Sequence, residues 1–153
     1  MRLASPAFSD GGAVPRRFTC DGENVSPPMQ WSGAPPDTRS FVLLCDDPDA
    51  PAGVWRHWAV YDISSATSEL EEGADVTGVA CCYKEGINDV HRPGYGGPCP
   101  PRRHGVHHYR FRLLALSCAE LGLLEASTCK EVEQAGKKQA CAEAILVGRY
   151  ERR

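Results

Sequence analysis

Three short blocks concentrate the side chains able to bind a ligand or move a proton. The first is Asp46-Asp47-Pro48-Asp49-Ala50-Pro51. A proline fixes its own φ and pushes the residue before it toward extended geometry, so Asp47 and Asp49 sit in a stiff segment. Low-entropy placement of carboxylates suits a binding site; a rigid turn with solvated acids is the alternative. The second block is Trp55-Arg56-His57-Trp58, with an imidazole between indoles, either a site residue or a satisfied core residue. The third runs from Gly94-Tyr95-Gly96-Gly97-Pro98-Cys99-Pro100-Pro101 to His107-His108-Tyr109. Glycines let backbone N–H groups approach a ligand, and prolines stiffen the approach. Two imidazoles, a phenol and exposed amides would make a donor-rich pocket for phosphate or carboxylate. The Gly-Lys-Ser/Thr ending of a P-loop is missing. Cys99, His104, His107 and His108 form a rival zinc set, but their spacing is irregular. We therefore expect no metal and no cofactor.

The elements that carry these blocks follow from periodicity. Ser40-Phe41-Val42-Leu43-Leu44-Cys45 reads as a strand buried on both faces. Trp55 to Ile63 reads as a second strand, with Trp55, His57, Ala59 and Tyr61 on one face and Arg56, Trp58, Val60 and Asp62 on the other. His107 to Leu116 reads as a third, placing His107, Tyr109, Phe111 and Leu113 together and His108 on the opposite side. Thr128 and Glu131 form a capping-box pattern, predicting a helix to about Gln139 with Cys129, Val132 and Ala135 inward. Ala144 to Tyr150 reads as a final strand. Residues 86–106 have no periodicity, and a loop this long is functional or disordered; its aromatic and histidine content points to ordered and functional.

The chain has 153 residues, 42% hydrophobic and 24% charged, with 12 prolines and 15 glycines spread along it. Such punctuation predicts an all-β or β-rich fold in one domain, residues 1–153. The net charge of −3 disfavours non-specific binding to nucleic acid or anionic lipid. No apolar run approaches a membrane span, and Met1 to Pro6 carries no apolar leader, so the expected location is the cytoplasm. The eight cysteines, with no Cys-x-x-Cys pair, are expected chiefly as buried free thiols in a reducing compartment, with disulfides as the alternative.

Taken in order, Ser26-Pro27-Pro28, Asp46 to Pro51, His57-Trp58, Gly94 to Pro101 and His107-x-Tyr109 resemble the phosphatidylethanolamine-binding protein family, which includes the Raf kinase inhibitor protein. The closing Gly148-Arg149-Tyr150-Glu151 resembles its compact prokaryotic branch. The resemblance covers nearly the whole chain. It implies a large antiparallel sheet packed against a smaller one, with a few short peripheral helices. It implies a surface pocket that holds phosphate, acetate or phosphorylethanolamine. By motif position the pocket would comprise Asp47, Pro51, Trp55, His57, Gly97, Pro98, Pro100, Pro101, His107 and Tyr109. Two departures stand out: His108 replaces a usual arginine, and Arg102-Arg103-His104 follow Pro101 where glycine is usual. The implied partners are a small phosphorylated ligand, or a kinase or protease bound as by an inhibitor, and a homodimer is plausible. The rival is a hydrolase or other acid–base enzyme using Asp47, His57, His107 and Tyr109; no Gly-x-Ser-x-Gly elbow is present.

Overall fold

The computed structural model describes residues 1–74 and 82–153, so Cys81 lies outside the described residues. In chain order the elements are β1 (Arg2–Ala4), β2 (Met29–Ser32), β3 (Ser40–Asp47), β4 (Trp55–Ser64), β5 (Glu69–Leu70), β6 (Lys84–Glu85), β7 (His107–Leu116), α1 (Cys129–Gln139) and β8 (Ala140–Tyr150). A 3-10 turn covers Arg16–Phe18. Among the described residues the strands form two sheets. A large one has the order β6-β4-β3-β7-β8 and a small one β1-β2-β5. Every strand pairing is antiparallel. The expected all-β fold with peripheral helices is what the chain adopts.

The burial of β3 on both faces has a simple cause. Phe41, Leu43 and Cys45 face the small sheet, in one core with Trp31, Met29, Phe111 and Leu113. Val42 and Leu44 face α1, in a second core with Ala59, Leu114, Cys129 and Val132. The central strand of a three-layer stack meets no water, so alternation disappears from its sequence.

α1 begins as its sequence predicts: the Thr128 hydroxyl accepts the Glu131 N–H at 3.2 Å. Its buried face differs from expectation. Cys129, Val132, Glu133 and Gly136 are inward, and Ala135 is half-buried. Gly136 allows the helix to lie close on the sheet: a Cβ there would stand 3.2 Å from Leu114 Cδ1. Glu133 is buried because Arg112 Nη2 donates to its Oε1 (2.6 Å) and Arg56 Nε to its Oε2 (3.0 Å).

β8 starts four residues earlier than expected, at Ala140. Its first half, Ala140 to Glu143, is largely exposed and so carries no apolar signal; pairing with β7 alone makes it a strand. β3 likewise runs two residues beyond its apolar run, to Asp47, which pairs with Trp55.

Candidate functional site

At one end of the large sheet a pocket of about 400 Å³ opens beside β3, β4 and β7. Strand alternation supplies three of its side chains. β7 sends His107 and Tyr109 to one face, as its period of two requires. β3 sends Asp47 to that face and Asp46 to the α1 side, where Arg110 and Arg112 take it.

β4 does not follow alternation. Cys45 pairs with Trp58, but Asp46 pairs with Arg56, which leaves His57 as the extra residue of a β-bulge. The bulge re-aims His57. Arg56 reaches Glu133 on α1, Ala59 and Tyr61 face α1, and His57 joins Trp55 in the pocket. The expectation that His57 shares a face with Ala59 and Tyr61 is therefore corrected. Strict alternation would have aimed the imidazole at the helix.

The aperiodic segment 86–106 is ordered by hydrogen bonds rather than by a ladder. Asn88 Nδ2 donates to the Gly94 carbonyl (2.9 Å), and Asn88 Oδ1 accepts from Val90 and Arg92 N–H. The Tyr95 hydroxyl donates to the Phe18 carbonyl at 2.7 Å. Gly97 N–H donates to Asn24 Oδ1 at 2.8 Å. A Cβ on Gly97 would fall 2.3 Å from the Phe18 carbonyl oxygen, so this close approach requires glycine. A disulfide joins Cys20 to Cys99 across 79 residues of sequence. Free thiols are thus a partial answer: Cys45 and Cys129 are buried thiols, Cys141 is an exposed one, and Cys20 and Cys99 are bonded.

Inside the pocket the hydrogen bonds fix protonation. His57 Nδ1 lies 2.6 Å from the Gly96 carbonyl oxygen. A carbonyl only accepts, so Nδ1 carries the proton and Nε2 of the neutral ring is bare. Burial lowers the His57 pKa below its ordinary 6.5 and outweighs the Gly96 bond and the Asp47 charge. His57 is therefore neutral at pH 7. His107 Nδ1 lies 2.6 Å from Asp47 Oδ2, and Asp47 Oδ1 accepts the Asp49 N–H at 2.8 Å. Tyr109 is fully buried and stands between the two imidazoles, with ring centroids 5.3 Å from His57 and 6.5 Å from His107. Burial, reinforced by the Asp47 charge, raises its phenol well above the ordinary value, so it stays protonated. Its hydroxyl has no hydrogen-bond partner among the described residues.

Of the residues expected at the site, Asp47, Pro51, Trp55, His57, Gly97, Pro100, Pro101, His107 and Tyr109 line this pocket. Pro98 does not; its carbonyl turns away to accept the Cys20 N–H at 3.1 Å. The glycine amides expected to face a ligand are spent within the protein, Gly96 N–H on the His57 carbonyl and Gly97 N–H on Asn24. The rival zinc set is divided. Cys99 is in the disulfide, and His108 Nδ1 pairs with Asp49 Oδ2 at 2.8 Å. Sequence reasoning missed Cys20, Asn24, Asn88 and Val90, all of which line the pocket. Asn24 and Asn88 had a weak signal as turn-forming residues in loops, whereas the partner of Cys99 had none.

Comparison with known proteins agrees with this architecture. The family model for phosphatidylethanolamine-binding protein matches residues 4–151. The UPF0098 protein of Aquifex aeolicus is 46% identical over 152 residues, covering 99% of this chain and 89% of that protein. LppC, a candidate lipoprotein of Mycobacterium tuberculosis, is 39% identical over 151 residues, covering 99% and 72%. The crystal structure of E. coli YbcL, described as a member of the mammalian PEBP family, superposes with a TM-score of 0.94 at 30% identity, covering 99% of this chain and 98% of that one. The chain belongs to the phosphatidylethanolamine-binding protein family.

Proposed function

We propose that the pocket binds one small anionic group: free phosphate, the phosphoryl end of a head group such as phosphorylethanolamine, or a carboxylate or phosphorylated side chain of a protein partner. The observation that carries this reading is the Tyr109 hydroxyl, buried and without a partner on the wall of the pocket. An unmet buried donor costs about 1–3 kcal/mol, and an anionic oxygen would recover that cost. His57 Nε2 adds an acceptor, which suits a ligand bearing a hydroxyl, such as a monoprotonated phosphate. Asp47, whose two oxygens each take one N–H from the protein, acts through His107 rather than on the ligand.

One charge-assisted bond contributes about 1.5–3 kcal/mol. After the cost of association, two such bonds correspond to binding in the micromolar to millimolar range. Pro51, Pro100, Pro101 and Trp55 give the mouth apolar walls, on which the carbon part of a head group or partner would rest.

The competing reading is acid–base catalysis, favoured by the Asp47–His107 pair. A hydrolytic rate that vanishes in His107→Ala would establish it. The same disulfide bears on location. Such bonds persist in oxidising compartments and inside hyperthermophiles, which makes an ordinary reducing cytoplasm the weaker assignment. No helix among the described residues is long and apolar enough to cross a membrane.

Calorimetric titration with phosphate and with phosphorylethanolamine tests the proposal. Saturable binding by the wild type, lost in His57→Ala, is the expected result. No binding of either ligand by the folded protein would overturn it.

A further inference from the structure

The ring nitrogen of His107 that Asp47 does not hold is also engaged. His107 Nε2 lies 2.6 Å from Nδ1 of His104, and the two ring centroids are 4.9 Å apart. His104 is exposed, on the Arg102-Arg103-His104-Gly105 turn just before β7. Three side chains from two parts of the chain thus form a line: Asp47, His107, His104. It runs from a carboxylate buried to 3% exposure, through an imidazole at 1%, out to solvent.

Proton accounting along this line leaves little freedom. Asp47 Oδ2 accepts, so His107 Nδ1 carries a hydrogen. Between His107 Nε2 and His104 Nδ1 there is room for one hydrogen: two lone pairs would repel, and two N–H groups would clash. In the neutral state His104 donates from Nδ1, and the Nε2 of this exposed side chain is then bare. A proton added at that outer nitrogen needs no buried charge at the point of entry. Transfer of the shared hydrogen to His107 Nε2 then places the positive charge on His107, against Asp47 and on the pocket wall.

The other polar groups at the site do not offer this. Nδ1–H of His57 is committed to Gly96, and burial keeps its ring neutral. Tyr109 is already protonated and remains so. His108 faces outward and is matched by Asp49. Arg56 also lines the pocket, but its Nε–H is spent on Glu133. Arg102 and Arg103 flank His104 in sequence; Arg102 Nη1 donates to the Arg153 carbonyl, and the Arg103 N–H to the Arg152 carbonyl.

The geometry points to His104 as a further member of the anion site: a positioning residue through which a proton enters, so that each anion is accompanied by a proton shared between His104 and His107. This inference rests on the anion-binding reading above. It adds a requirement to it, namely that affinity depends on pH through a residue that does not line the pocket.

The probe is inorganic sulfate, which does not itself titrate near neutrality. Calorimetry at about pH 7 in two buffers of different ionisation enthalpy counts the protons taken up on binding. About one proton per sulfate is expected for the wild type. His104→Gln should abolish the uptake and weaken sulfate about tenfold at about pH 6, with little change at about pH 8, whereas His108→Gln, on the outward face, should keep the uptake. Unchanged uptake in His104→Gln would overturn the inference. So would tighter binding by that variant, which would make His104 a competitor for His107 Nε2. Nitrogen NMR of the two rings without ligand separates this from the parent proposal. Coupled titration of His104 and His107 in a protein that binds neither sulfate, phosphate nor phosphorylethanolamine would sink the anion reading and leave the shared proton standing. Independent titration of the two rings would sink the inference itself.

Discussion

The two faces of one sheet end handle charge in opposite ways. On the α1 side, Asp46 receives Arg110 (2.7 Å) and Arg112 (2.7 Å), and Glu133 receives Arg112 (2.6 Å), Arg56 (3.0 Å) and Lys137 (3.1 Å). Every oxygen of both acids meets a cation. On the pocket side, one residue along β3, a single carboxylate is matched by imidazole and backbone, and a phenol has no partner. The ion cluster also leaves one group unmet, Arg112 Nε, but that atom is sealed beneath α1, whereas Tyr109 faces a pocket. Saturated charge fixes a helix to a sheet; unsaturated polarity next to an opening invites a ligand.

The largest expected effect comes from cutting the staple of the pocket side. Replacing Cys20 and Cys99 together by serine frees a loop of 79 residues. Chain entropy then predicts a loss of about 4.5 kcal/mol, measurable by urea unfolding. Phosphate affinity should fall in the remaining folded protein, because the wall from Gly96 to Pro101 is joined there to the Cys20 segment. A stability loss with unchanged affinity would show that Asn24, Asn88 and Tyr95 hold the wall by themselves.

Breaking the other face should be nearly as costly but different in kind. Arg112→Ala leaves Asp46 and Glu133 partly unmatched beneath α1 and should destabilise by about 3 kcal/mol or more. Tyr109→Phe inverts that pattern. Removing the unmet hydroxyl should leave stability unchanged or slightly higher, while phosphate binding weakens about tenfold. Equal loss of stability in both variants would erase the contrast between the faces.

The smallest effects separate by pH. The folded pKa of His57 is below its ordinary 6.5, so the unfolded chain binds the proton more readily and stability declines as pH falls below that value. Burial pushes the Glu133 carboxyl up, but hydrogen bonds from Arg112, Lys137 and Arg56 outweigh it and hold the group at about 2. Its contribution is complete above 4.5 and is lost as pH falls toward about 2. Urea unfolding against pH should show two declines, the upper one missing in His57→Gln.

Much of this was legible in the chain. The strand cores of β3, β4 and β7 showed their period or their lack of one, because burial on one face or two is written in apolar spacing. The start of α1 was legible from Thr128 and Glu131, since a cap is a local interaction. Nine of the ten expected site residues line one pocket, and those outside β4 lie on strands or in stiff Gly/Pro segments whose direction local rules largely fix.

What sequence could not state was every feature that depends on a partner distant in the chain. The bulge that turns His57 toward Tyr109 arises from the pairing of β4 with β3, and the period of β4 alone aims it the wrong way. Glu133 in the buried face of α1 makes sense only once Arg112 and Arg56 lie beneath it. The disulfide of Cys20, the hold of Asn24 on Gly97, and the meeting of His104, His107 and Asp47 all join separate segments. The sequence by itself determined which side chains were available and which strands would carry them, because those follow from local stiffness and apolar period. The tertiary structure decided which of them touch, and so which were satisfied and which remained free to bind, because hydrogen bonds across tens of residues exist only after the layers have packed.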